Sequence, residues 1–244
     1  MLPGLLSAAA GLSAQQQQLD AIGNDIANAS TPGYKAERVE FSDLLYSSSD
    51  IVSGEADVGA GARARLAGFN PTQGPIKETG EPLDLAIEGT GFFELTRPNG
   101  AISLTRAGDF GVDAGGSIVA SDGSQLVPPI KLPAGVTAKE VRIAPDGTVS
   151  AGAKKLGQIA LVSTAAPNRL LADGAGGFTP TSASGAPQPV TTAKIRQGAL
   201  EESNVDLGHE MAQMVETQRS FQLTSSAIQT ESQMMTYANQ LRPA

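Results

Sequence analysis

Apolar side chains recur every seven residues at Leu5, Leu12, Leu19 and Ile26, and Ala8, Gln15, Ile22 and Ala29 follow three positions after each. This spacing predicts a helix over residues 3–29 with one apolar seam. Pro3 suits a first helical turn, and Ser30-Thr31-Pro32-Gly33 cannot continue the helix. The pattern returns near the C-terminus. Leu207, Met214, Phe221, Ile228 and Met235 form one line there, and Met211, Gln218, Ser225, Ser232 and Asn239 form the alternate one. A second helix is expected, capped by Ser203 or Asn204 and ended before Pro243. Gln, Ser and Asn occupy seam positions that a self-sufficient coiled coil fills with Leu or Ile. Neither helix is therefore expected to be stable alone.

The stretch between the helices has another texture. Gly and Pro punctuate short runs that alternate apolar with polar, which predicts strands at 83–88, 92–96, 102–106, 109–112, 117–120, 141–144, 148–151 and 158–163. Pro98-Asn99-Gly100, Ala114-Gly115-Gly116, Asp122-Gly123 and Pro145-Asp146-Gly147 supply the turns. With no helix between the strands, a parallel α/β sheet is excluded and a meander closing as a sandwich or distorted barrel is expected. Residues 47–68 and 173–192 are poor in large apolar side chains and read as long loops. The fold class is then α+β: N- and C-terminal helices pairing as a coiled coil, with a central all-β domain inserted between them. The expected division is 1–34 with 203–244 as a helical domain, 35–82 as linker and extended segment, and 83–202 as the β domain.

Composition narrows the function. The 244 residues hold no Cys, no Trp and one His, which removes disulfide frameworks, thiolate chemistry and most histidine chemistry. A formal net charge of -8 opposes binding to nucleic acid or to anionic membrane surfaces. No stretch is apolar enough for a membrane span. The first basic side chain is Lys35, so a cleaved secretory signal is not expected.

No motif carries catalysis. Gly89-Thr90-Gly91 runs on into Phe92-Phe93, a strand rather than the helix a dinucleotide site requires. His209-Glu210 lacks a second His at position 213, which is Gln213, so His209 reads as a surface side chain. Glu201 and Glu202 read as charges favouring a helix N-terminus. Asn28-Ala29-Ser30 is a formal glycosylation sequon that overlaps a helix end. No catalytic, metal or cofactor-binding residue is expected, and no cofactor.

The segment Asn24-Asp25-Ile26-Ala27-Asn28-Ala29-Ser30-Thr31-Pro32-Gly33-Tyr34-Lys35 resembles the N-terminal signature of bacterial flagellar rod and hook axial proteins. Phe41-Ser42-Asp43-Leu44-Leu45-Tyr46 is similar to the segment that follows in the distal-rod type. Leu83 to Phe93, Thr105-Arg106-Ala107-Gly108-Asp109-Phe110, Gly198 to Val205 and Met214 to Phe221 extend the resemblance over nearly the whole chain. Residues 47–68 are shorter than the loop expected there in distal-rod proteins.

The resemblance implies a structural subunit of the distal rod that polymerises into a helical axle and transmits torque to the hook. The implied place is the basal body, reached through the flagellar type III export apparatus. Implied partners are further copies of the chain, other rod proteins, the hook protein and the surrounding ring proteins, with no nucleic acid and no membrane insertion. Leu5, Leu12, Leu19, Ile22, Ile26, Leu207, Met211, Met214, Phe221, Ile228 and Met235 are the expected assembly surface. Asn24, Asn28, Thr31, Gly33, Tyr34 and Lys35 are the expected motif turn. The alternatives are a proximal-rod paralogue and, on different grounds, a secreted adhesin or carbohydrate-binding β module, for which three tyrosines and no tryptophan offer little stacking surface.

Overall fold

The computed structural model describes residues 2–44, 61–174 and 176–240. Leu45, Tyr46, Pro243 and most of the expected loop at 47–68 lie outside the described residues. The chain forms two compact units, one from residues 1–26, 37–67 and 206–244, the other from residues 27–36 and 68–205.

The first unit holds both long helices, α1 (Leu2–Ala27) and α2 (Leu207–Gln240), with strand β1 (Glu37–Asp43) and its partner β2 (Ala62–Phe69) as far as Ala67; the last two residues of β2 belong to the second unit. β2 occupies the end of a segment expected to be loop. Its small residues allow this, because Gly61 passes so close to Ser7 and Ala10 of α1 that a side chain there would collide with the Ser7 backbone. The helices run antiparallel: Gly4 lies opposite Glu231, and the Gln15 amide donates to Ser220 Oγ at 2.9 Å.

α1 stops two residues before the expected end. Asn28 starts a turn, its carbonyl accepting from Thr31 N at 3.0 Å and its side chain from Thr31 Oγ1 at 3.2 Å. α2 starts later than expected, and Asp206 rather than Ser203 or Asn204 caps it. The Asp206 carboxylate accepts from the backbone N–H groups of Gly208 at 2.9 Å and His209 at 3.3 Å.

The second unit is all β. Its first strands are β3 (Ile76–Glu78), β4 (Leu85–Glu88), β5 (Phe92–Thr96) and β6 (Ile102–Thr105). The main sheet curls as a half-barrel with the order Leu171–Gly174, Gly177–Thr179, β6, β5, Gln125–Leu126, Ile118–Val119 and Gly111–Val112. Leu161–Ser163 pairs with β5. Val141–Ile143, Thr148–Ala151 and Lys154–Gln158 form a separate three-stranded meander. The strand expected at 158–163 is thus two strands that serve different sheets. The region expected as loop at 173–192 contributes Gly177–Thr179 to the sheet, because Phe178 buries against Phe69 and Phe92.

The last strands return to the first ones. Lys194–Gln197 pairs antiparallel with β4, and Ala199–Glu201 with β3. Alternation along β4 and β5 turns Leu85, Ile87, Phe93 and Leu95 into one cluster, whereas Leu104 of β6, opposite Glu94, joins Phe92 in the second. Both hydrophobic clusters found among the described residues belong to this unit.

Candidate assembly surface and the Lys35–Glu201–Arg106 clamp

The helical unit has no comparable core. Ile22 is its one large apolar side chain that is fully buried among the described residues; Ala14, Ala21 and Ala64 are the small ones. Of the expected assembly residues, Leu5, Leu12, Leu19 and Ile26 on α1 and Met214, Phe221, Ile228 and Met235 on α2 are half-buried. Leu207 and Met211 are 43% and 54% exposed.

The strip of α2 that turns inward includes Met214, Phe221 and Ile228 together with Thr217, Thr224 and Glu231. It lies one residue back from the alternate line of Met211, Gln218, Ser225 and Ser232. Threonine is tolerated on this strip because it satisfies itself: Thr217 Oγ1 donates to Gln213 O at 2.8 Å and Thr224 Oγ1 to Ser220 O at 3.0 Å.

This offset leaves Leu207, Met211 and Val215 as an apolar row four residues apart on the outer side of α2. Leu223, Met234 and Tyr237 are still more exposed further along. All but three of the exposed large apolar side chains among the described residues, Ile102, Val112 and Leu171, belong to the helical unit. The exposed apolar surface is thus concentrated on the unit that has almost no core of its own.

The motif turn is built differently from a simple cap. Gly33 has φ of +69°, and a Cβ there would stand 2.3 Å from Ala107 N, so the backbone of the turn passes directly against the segment that follows β6. Gly33 N donates to Glu201 O at 2.7 Å. Two residues on, Lys35 is buried and pairs with the fully buried Glu201 carboxylate. Arg106 Nη1 reaches the other oxygen of Glu201 at 3.0 Å and its Nη2 donates to Gly89 O at 2.8 Å, with the guanidinium over the Phe92 ring. Gly74 N also donates to Glu201 at 2.9 Å, and Lys35 Nζ to Thr72 O at 2.7 Å. Burial pulls the Lys35 ammonium below its ordinary range; the hydrogen bond and charge of Glu201 oppose this, and Arg106 adds to the lowering.

Asn204 completes the arrangement. Its Oδ1 accepts from Ala36 N at 2.8 Å, and its Nδ2 donates to the carbonyls of Asn70 and Thr72 at 3.0 Å each. The segments by which the chain passes into and out of the β unit are thereby held to each other and, through Arg106, to the segment that follows β6. Asn24 and Asn28 stand before this clamp: the Asn24 amide donates to Glu37 at 2.8 Å, and Asn28 anchors the turn after α1.

The sequence places Gly33, Tyr34 and Lys35 in the motif turn, reads Glu201 and Asn204 only as features of the start of α2, and assigns Arg106 no role of its own. Glu201 was expected to favour a helix N-terminus; it sits instead on a strand, six residues before α2, as the buried counter-ion of two cations. A lone basic residue in each of two segments and one acid in a third carry no periodic signal. His209 is exposed, as expected.

Among the described residues no group of His, Asp or Glu has the placement to hold a metal ion, and no helix is long and apolar enough to cross a membrane. Nothing in the clamp combines a nucleophile, a base and an open cleft. Its chemistry is that of a structural lock.

Comparison with known proteins gives this arrangement its context. Residues 5–35 match the family described as flagella basal body rod protein, residues 86–151 the flagellar hook protein FlgE/F/G D1 domain, and residues 196–241 the flagellar basal body rod FlgEFG protein C-terminal family. The flagellar basal-body rod protein FlgG of Buchnera aphidicola subsp. Acyrthosiphon pisum is 34% identical over 99% of the chain and 100% of the relative. FlgG of Caulobacter vibrioides is 35% identical over the same shares, and FlgF of that bacterium 36% identical over 87% of each. On the strength of these full-length matches, the chain belongs to the flagellar basal-body rod protein family.

Proposed function

We propose that the protein is a non-enzymatic structural subunit of the distal rod, polymerising through its helical unit into a tubular axle that carries torque toward the hook. The observation that carries this reading is the distribution of apolar surface: the β unit has two cores, while the helical unit has almost none and holds most of the exposed large apolar side chains among the described residues. Copies stacked by a repeated, non-closing contact would bury that surface and generate an open helix. Leu5, Leu12, Leu19, Ile22 and Ile26 with Leu207, Met211, Met214, Phe221, Ile228 and Met235 would line the contacts.

Full-length coverage by FlgG relatives, against 87% coverage by FlgF, supports the distal over the proximal position. The partners would be other rod proteins, the hook protein and the surrounding rings. Export would run through the flagellar type III apparatus without cleavage of the N-terminus. Deletion of the gene in its own bacterium should give non-motile cells whose basal bodies end at a shortened rod without a hook, with both restored by the intact gene. Hooked, swimming deletion cells would refute the proposal.

A further inference from the structure

Three carboxylates from three separate elements meet at one cleft of about 280 Å³ in the helical unit. Asp25, in the last turn of α1, is only 3% exposed and accepts from the backbone N–H of Glu37 at 3.0 Å. Glu37, first residue of β1, is half-buried and held by the Asn24 amide. Glu210, in the first turn of α2, is half-buried and also lines the cleft. Gln18, Ala21, Ile22, Val39 and Gln213 supply much of the remaining lining.

The described cations facing Glu37 and Glu210 are engaged elsewhere. Arg38 lines it but pairs with Glu40 at 3.3 Å on its largely exposed side, and His209 is exposed and hydrogen-bonded to Gln213. Asp206 adds another negative charge as the cap of α2. The N-terminus of α2 favours Asp206 and Glu210 as anions, but Asp25 lies at the C-terminal end of α1, where the helix dipole opposes a negative charge.

We propose that this cleft is a proton-sensitive latch: proton uptake by Glu37 and Glu210 draws α1, β1 and the first turn of α2 together, and proton loss loosens them. The inference concerns the order of the helical unit and stands apart from the rod reading. Burial, and after it the Asn24 hydrogen bond acting in opposition and the Asp25 charge, leave the Glu37 carboxyl above its ordinary range. Burial raises Glu210 as well, reinforced by Asp25 and Asp206 and opposed by His209. Carboxyls raised in the folded state stabilise it fully below the ordinary value of 4.5, and that contribution is lost as pH rises through the raised values.

The test is thermal melting of the helices of the full-length chain by far-UV circular dichroism at constant ionic strength, at about pH 5.5 and about pH 8. The wild type should melt about 5 °C higher at the lower pH. Glu37→Gln with Glu210→Gln, which mimic the protonated acids, should melt alike at both pH values. A charge-matched control, Glu81→Gln with Glu216→Gln on exposed positions, should keep the wild-type shift. An unshifted wild type, a shift retained by the first pair, or its loss in the control would overturn the proposal. Should the first pair lose its helices, carboxyl carbon-13 titration of the wild type decides. Midpoints for Glu37 and Glu210 above 4.5 uphold the latch, and ordinary midpoints overturn it.

Discussion

Glu201→Ala should unfold the β unit at denaturant concentrations well below those the wild type withstands. The substitution leaves Lys35 and Arg106 buried without their counter-ion and removes the acceptor of Gly74 N. Breaking a buried ion pair by deleting one partner costs about 3–5 kcal/mol, because the remaining charge has neither water nor partner. Two stranded cations place this variant at the upper end of that range. With a urea slope of about 2 kcal/mol per molar, the unfolding midpoint should fall by about 2.5 M.

Lys35→Met should cost distinctly less. Glu201 then keeps Arg106 and Gly74 N, and the methionine fills a buried apolar volume. Urea titration of the tertiary circular dichroism signal of the full-length protein measures both. Equal midpoints for the two variants would contradict the assignment of Glu201 as the hub.

The second large effect lies in the other unit. Leu19→Asp together with Phe221→Asp should abolish incorporation into the rod and leave the urea transition of the β unit unchanged. Leu19 and Phe221 are half-buried, one on each helix, and neither belongs to the hydrophobic clusters of the β unit. Each change removes apolar area worth about 1.5–3 kcal/mol on full burial and sets a carboxylate where other copies would have to desolvate it. Motility of cells carrying the variant as their only copy, with immunodetection in purified basal bodies, reads the result. Swimming cells would count against the helices as the assembly surface.

Much of this was legible in the sequence, and the reasons differ by element. Heptad spacing placed both helices to within a few residues, because a seven-residue repeat extends over many turns and survives local irregularity. β5 and Thr148–Ala151 were read with their observed bounds, since alternation between two glycine turns leaves no other register. The shared strand at 158–163 and the sheet role of Gly177–Thr179 were not legible. Each depends on a partner distant in the chain, and Phe178 is committed to a strand by Phe69 and Phe92 rather than by its neighbours.

The clamp divides in the same way. Gly33 stood out because a glycine after Thr-Pro announces a turn, and its close approach to Ala107 follows from that. Glu201 and Arg106 lay within recognised segments, but their pairing with Lys35 joins three stretches far apart along the chain. α2 shows a subtler limit: a straight helix repeats every 3.6 residues, so a strict heptad drifts around it. The inward strip accordingly passes through Thr217 and Thr224 instead of Gln218 and Ser225 alone.

The central claim is that the helical unit acquires its full order only in the company of other copies. Amide hydrogen exchange of the full-length chain, alone and in purified basal bodies, tests it most directly. In the isolated chain α1 and α2 should open with a free energy well below that of global unfolding, as marginal elements do, while β5 and β6 exchange only by global unfolding; in the rod both helices should become strongly protected. Helices as protected as β5 in the lone chain, with no gain on assembly, would contradict the account.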